Sequence, residues 1–230
     1  MQSVDRPADK ALLGIVGANA LTLLMALWQG WGVLQLLWPY WIQSAIIGGY
    51  ARKRMLRLET FSTESLRLNN RPVEPTRETQ QRVARFFVLH YGLFHLGYLA
   101  FLWTATTQGL TDGTLPITDE RSGEIRKLAI GTVQPIDWLI FAVLAASFWH
   151  SHRASHREHV EADLARVPNL GTLMMMPYAR VLPMHLTIIF GAYLGGGATW
   201  LFVLLKTGAD VAMHRLEHQW LQAGGSSPNA

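Results

Sequence analysis

The chain has 230 residues and a net charge of +4, with 50% apolar residues, only 16% charged residues and positive mean hydropathy. A soluble domain would carry about a quarter charged residues; here the charges gather into short segments between long uncharged runs, which is the signature of a membrane protein. Cysteine is absent, so disulfides, iron–sulfur clusters and thiolate zinc sites are excluded and only His, Asp, Glu and Met are left as metal ligands.

Residues 1–10 form a polar N-terminal tail. The first apolar run, 11–28, is long for a signal peptide and is followed almost at once by a second, so a retained anchor is expected. Gln29-Gly30-Trp31-Gly32 reads as a tight turn. The second span, 32–50, ends in Arg52-Lys53-Arg54, a basic end that marks the cytoplasmic side and places the N-terminus there too. The loop 51–85 carries nine Lys/Arg against four Glu, and its Asn-Asn and Pro-rich middle, 68–76, is expected to be irregular. A third span covers 86–106. The less basic loop 108–133 reads as external, a fourth span covers 135–149, and 150–180 forms a His-rich cytoplasmic segment.

The last apolar run, 181–205, is long enough for one tilted span, but Gly195-Gly196-Gly197 at its centre favours a hairpin. In one straight helix His185 and His214 would lie roughly 43 Å apart; in a hairpin both return to the cytoplasmic side. The expected architecture is an all-α polytopic membrane bundle of five or six spans, one domain over 11–220 with a flexible tail at 221–230. Nine tryptophans suit bilayer interfaces, and the dispersed basic residues argue against nucleic-acid binding.

Candidate chemistry gathers at the polar ends. Asp210, His214 and His218 are spaced four apart and share a helical face as a stripe of oxygen and imidazole ligands. Lys206 stands four residues before Asp210, so a plain ion pair is the competing reading. His214-Arg215-Leu216-Glu217-His218 matches the inverted zinc-peptidase pattern, but that pattern needs a further downstream acidic ligand and only twelve residues follow. His90 and His95 are about 140° apart on a helix and cannot share a face; His90, nearer the cytoplasmic end, is the candidate. His150, His152, His156 and His159 form a His-rich tract, of which His152 is the candidate, and His185 opens the last apolar run. Arg180 suits either the positive-inside rule or a fork for an anionic group. Met174-Met175-Met176 cannot present all three sulfurs on one face and reads as packing. No phosphate loop, nucleophile elbow or nucleotide fingerprint is present.

Several of these pieces together resemble a family of prokaryotic multi-span membrane proteins of unknown function. They are Tyr40-Trp41 with Ile47-Gly48, His90-Tyr91-Gly92 with Phe94, Ser151-His152 with Ser155, Pro177-Tyr178-Ala179-Arg180, Met184-His185 with Ile188-Ile189, and Lys206-Thr207 with Asp210 and His214. The family pattern has Glu-Asn where this chain has Gln43-Ser44, which removes a carboxylate at 43. The resemblance implies a multi-pass protein of the prokaryotic cytoplasmic membrane, points to His90, His152, His185, Asp210 and His214, and supplies no reaction.

The leading expectation is a membrane metalloprotein. His90, His152, His185, Asp210, His214 and His218 would hold zinc or another divalent metal near the cytoplasmic boundary, with haem b the less favoured cofactor. Whether such a site is catalytic stays open. The rival readings are a proton- or ion-coupled transporter or channel-like protein, and an accessory subunit of a larger membrane complex. The expected partners are the lipid bilayer and either further copies of the chain or such a complex.

Overall fold

A computed structural model describes residues 24, 26–109, 112–118, 122–164, 167–194 and 197–223, with side chains given for most of them but not for 213–223. The expected polar N-terminal tail and first span therefore lie almost wholly outside the described residues. Among the described residues five long helices follow in order: α1 (Val33–Arg57), α2 (Arg77–Gln108), α3 (Pro135–Leu164), α4 (Leu170–Leu194) and α5 (Ala198–Ala223). Two antiparallel hairpins join them, β1 (Arg67–Leu68) with β2 (Arg71–Pro72), and β3 (Thr114–Thr118) with β4 (Ile125–Ala129). The chain is mostly helical, as expected, with these small sheets added.

The helix α1 is the centre of the bundle and packs against each of the other four. Its sequence prepares it for that position. Val33, Leu34, Leu36, Leu37, Trp38, Pro39 and Tyr40 are consecutive apart from Gln35, and all are buried, so this end is enclosed on every side. Toward its other end only Ser44, Gly48 and Met55 are buried, a narrow contact stripe. The helix α2 buries a stripe as well: Gln80, Ala84, Phe87, Tyr91, His95, Tyr98 and Leu102 recur at steps of four and three. Its remaining faces are apolar yet uncovered, with Leu89, Leu93, Leu96 and Trp103 exposed. Among the described residues, two helices, Arg77–Gln108 and Leu170–Phe190, are long and apolar enough to cross a membrane.

The helices outlast the apolar runs that foretold them. The α1 helix continues to Arg57 and α2 begins at Arg77, because Arg, Lys, Met and Leu extend a helix as readily as they fill one. The connection left between them contains a tight hairpin where irregular chain was expected: Asn69 and Asn70 both take positive φ, 50° and 62°, as a two-residue β-turn of this hand requires. The segment then meets the start of α4. Ser62 donates its N–H to Pro168 O at 2.9 Å and accepts from Leu170 N–H at 2.9 Å. Asn169 caps α4 by accepting from Thr172 N–H at 3.1 Å. At the opposite end Pro135 opens α3, and the Asp137 carboxylate reaches back to Gln134 N–H at 2.8 Å. Beside the larger hairpin, Asp112 accepts from the Thr114 hydroxyl and then from Lys127, which holds its carboxyl down to about 2.

Gln80 ties α1 to α2. It is fully buried, and its amide donates to Met55 O at 2.7 Å and Leu58 O at 2.9 Å, the carbonyls that the end of α1 leaves without helical partners. Gln80→Leu keeps the volume and strands both carbonyls, so a loss of about 1–3 kcal/mol is expected in chemical denaturation. A loss under half a kcal/mol would mean that water reaches those carbonyls.

The glycine run at 195–197 favours the turn of a hairpin, and α4 and α5 do pack along one another. Arg180 and Asp210 approach to 3.9 Å, which only antiparallel helices allow at that separation in sequence.

Candidate functional site

The sequence candidates are not brought to one point among the described residues. His90 is exposed on α2, with Nδ1 2.9 Å from the Tyr178 hydroxyl. His185, two turns further along the α2–α4 contact, has Nδ1 2.8 Å from the Tyr98 hydroxyl. Positions 90 and 98 stand eight residues apart, about 12 Å along a helix, so the two pairs cannot share one metal ion. His152 lies on α3, which packs chiefly against α1. Asp210 accepts from Lys206 Nζ at 2.6 Å. The backbones of His214 and His218 continue α5, while their side chains lie outside the described residues. Among the described residues, no three His, Asp or Glu side chains are grouped to hold a metal.

What the fold assembles is a row of rings between α2 and α4. In order it runs His90, Tyr178, Tyr91, His95, Tyr98, His185, with successive ring centroids 5.7, 5.3, 4.2, 6.3 and 6.1 Å apart. Tyr91, His95 and Tyr98 belong to the buried stripe of α2, while Tyr178 and His185 are two turns apart on α4. Gly48 makes room for the row from the α1 side. A Cβ there would stand 2.5 Å from the Tyr91 ring, and the Tyr91 hydroxyl donates to Ser44 O at 2.9 Å one turn earlier.

His95 is the most enclosed imidazole of the row. Its Nδ1 lies 3.0 Å from Tyr91 O, and a carbonyl can only accept, so Nδ1 carries a proton. Its Nε2 lies 2.9 Å from Ser44 Oγ, and that hydroxyl is also 2.9 Å from Trp41 O. Neutral His95 accepts the Ser44 proton at Nε2. Protonated His95 donates to Ser44 Oγ, and the hydroxyl turns its own proton to Trp41 O. Both charge states are therefore fully hydrogen-bonded by one hydroxyl rotation. Trp41 Nε1 donates to His95 O at 3.0 Å and holds the two helices in register for this exchange.

Adjoining the row is a charged group shared by α1, α4 and α5. Pro183 removes the donor that Ala179 O would use and loosens that turn of α4. The neighbouring carbonyl, Arg180 O, accepts the Tyr40 hydroxyl. Tyr40 sets its ring edge against Phe202 at 5.2 Å, and Lys206 Nζ lies 5.9 Å from the centre of the Tyr40 ring.

Sequence reasoning chose His90 over His95 and passed over Ser44, Tyr91, Tyr98 and Tyr178 as chemistry. The signal was present in the four-and-three spacing of Phe87, Tyr91, His95 and Tyr98, which places the three polar rings on one face.

The chain belongs to a family of unknown function (DUF6498), whose pattern matches residues 1–226. No curated protein and no solved structure matches it. The expected kinship with an uncharacterised family is borne out.

Proposed function

We propose that this protein is a polytopic membrane bundle of five or six spans that moves protons, alone or coupled to another ion, along the tyrosine–histidine row. The observation that carries the reading is the ring-to-ring row itself, hydrogen-bonded at its two ends, His90 to Tyr178 and Tyr98 to His185, with His95 bonded to Ser44 between them. An imidazole gains and loses a proton near neutral pH, and a hydroxyl both donates and accepts, so such an array can hand protons on. Ionisable groups inside a membrane bundle usually serve such pathways. The uncovered apolar faces of α2 and α4 suit lipid, and the arginine-rich end formed by 52–57 and 77–85 suits the cytoplasmic side of a prokaryotic membrane.

The test is proton flux into proteoliposomes containing a pH-sensitive dye under an imposed potassium potential. The native protein is expected to acidify the lumen well above the rate of empty liposomes. Tyr98→Phe, which removes one oxygen, and His185→Phe are each expected to return flux to background while the protein stays monodisperse and helical. Background flux from the native protein, or undiminished flux from both variants, would overturn the reading.

A second reading keeps a divalent metal, zinc by default, on α5. It is favoured by the unbroken helix over Ala198–Ala223, which keeps Asp210, His214 and His218 on one face. A metal there must displace Lys206 from Asp210. Metal analysis of the purified protein before and after His214→Ala separates the two readings, since proton transfer along α2 needs no metal on α5.

A further inference from the structure

We propose that the cleft between the end of α1 and the start of α2 binds a small water-soluble anion, a carboxylate or phosphate carried on an apolar body. The cleft holds about 520 Å³, within the roughly 300–1,000 Å³ of small-molecule sites. Arg57, the last residue of α1, and Arg77, the first of α2, both line it, with Glu59 as its one carboxylate. Its apolar wall is Leu56, Leu58, Phe61 and Pro75, of which Leu58 and Phe61 belong to the buried core. Two cations beside an apolar wall suit an amphipathic anion better than a bare ion or an uncharged apolar molecule.

The two arginines are prepared for that use in different ways. Arg77 is held: its Nη1 donates to Leu56 O at 3.0 Å and to Gln80 Oε1, and Gln80 is itself fully buried and bonded to the carbonyls of Met55 and Leu58. Both Nη1 protons are then used, and Nε and Nη2 keep three donors for a ligand. A guanidinium fixed beforehand loses little freedom on binding. Arg57 is exposed, and among the described residues Arg57, Glu59 and Arg77 form no ion pair, so both guanidiniums are available to an anion. Depth decides where that anion comes from. With spans at 32–50 and 86–106, Arg57 stands seven residues past one and Arg77 nine before the other, about 10 and 13 Å along the helices. The headgroup layer is about 5–8 Å thick, so the cleft opens to water and meets solutes rather than lipid phosphates. The cleft shares no side chain with the ring row, so it stands whether or not protons move along α2.

The experiment is equilibrium binding to the full-length protein in a neutral detergent, with phenyl phosphate, phenylacetate, inorganic phosphate and short-chain phosphatidylglycerol as separate probes. Phenyl phosphate or phenylacetate is expected to bind saturably and at least roughly tenfold tighter than inorganic phosphate, which lacks the apolar body. Arg57→Gln is expected to weaken the bound aromatic probe by at least roughly tenfold, Arg57→Lys to recover part of that loss, and Glu59→Gln to tighten binding. Arg52→Gln is the control: it removes the same charge from an exposed position of α1 outside the cleft and is expected to leave affinity within about twofold of native. Thermal unfolding without probe identifies any variant that fails to fold, and Arg57→Lys, which keeps the charge, serves if Arg57→Gln does. No saturable binding of either aromatic probe, equal affinity for inorganic phosphate, binding of phosphatidylglycerol alone, or a loss no larger in folded Arg57 variants than in Arg52→Gln overturns the inference.

Discussion

Asp163→Ala is expected to lower the unfolding free energy by about 3–5 kcal/mol. Asp163 sits near the end of α3 with its side chain 1% exposed, and it accepts from the Arg54 side chain through both oxygens, Nη2 to Oδ1 at 2.9 Å and Nε to Oδ2. Arg54 is itself only 14% exposed. Removing the carboxylate leaves a guanidinium in a poorly solvated place with its counter-charge gone, which costs more than the pair ever contributed. The double replacement Arg54→Met with Asp163→Leu is therefore expected to recover most of the loss, because an apolar pair of similar volume carries no desolvation penalty. Denaturant unfolding in detergent measures both. A single variant within 1 kcal/mol of native, or a double variant no better than the single, would show that water solvates this end.

Gly131→Ala is the second large effect, with an expected loss of about 3–5 kcal/mol from overpacking and left-handed strain combined. Gly131 has a φ of +84°, and a Cβ there would lie 2.6 Å from Gln35 Oε1 and 2.7 Å from Gly32 Cα. Gly32 is crowded from the other direction, since its own Cβ would meet Ile130 O at 2.3 Å. The two glycines let the start of α1 lie directly on the extended segment that follows the larger hairpin. Leu34 N–H donates to Ile130 O at 3.0 Å, and Gln35 bridges Gly32 N–H at 3.0 Å and Thr132 O at 2.8 Å. Backbone cannot swing aside as a side chain can, so the added methyl must part the two segments. Gly49→Ala is the control: it lies exposed on α1 with nothing within 4 Å of the added carbon, and is expected to be neutral or to stabilise by up to about 1 kcal/mol through helix propensity. If Gly131→Ala and Gly49→Ala unfold alike, the close approach at Gly32 contributes nothing.

Much of the scaffold was legible because the sequence writes helices in runs and glycines. The span expected at 32–50 matches α1 from its N-cap onward, those at 86–106 and 135–149 fall inside α2 and α3, and the glycine run falls between α4 and α5. Boundaries were less legible. Hydropathy marks where a helix is greasy and says little about where it ends, so α3 runs on to Leu164 through the His-rich tract, which its composition sets apart as a separate segment. The strands at 114–118 and 125–129 went unread because their register is carried by backbone bonds and carry little side-chain pattern.

The candidate site was legible only as residue types. Imidazole and carboxylate groups in an apolar chain are rare enough to single out His90, His185 and Asp210, and spacing along one helix is enough to say that His90 and His95 face apart. Which of them meet, and what they meet, depends on partners 50 to 140 positions away. Ser44 beneath His95, Tyr98 against His185 and Tyr40 on Arg180 O are contacts between helices. A helical repeat records which residues share a face and nothing about what the neighbouring helix sets opposite. The sequence alone therefore determined an apolar, cysteine-free helical chain with a basic end, and left the last apolar run open between one span and a hairpin, which the packing of α4 on α5 decided. Tertiary packing decided that the histidines pair with hydroxyls across helix contacts, because rotation and register between helices are set by the close fit of small residues such as Gly32, Gly48 and Gly131, whose consequences are felt only once a second element lies against them.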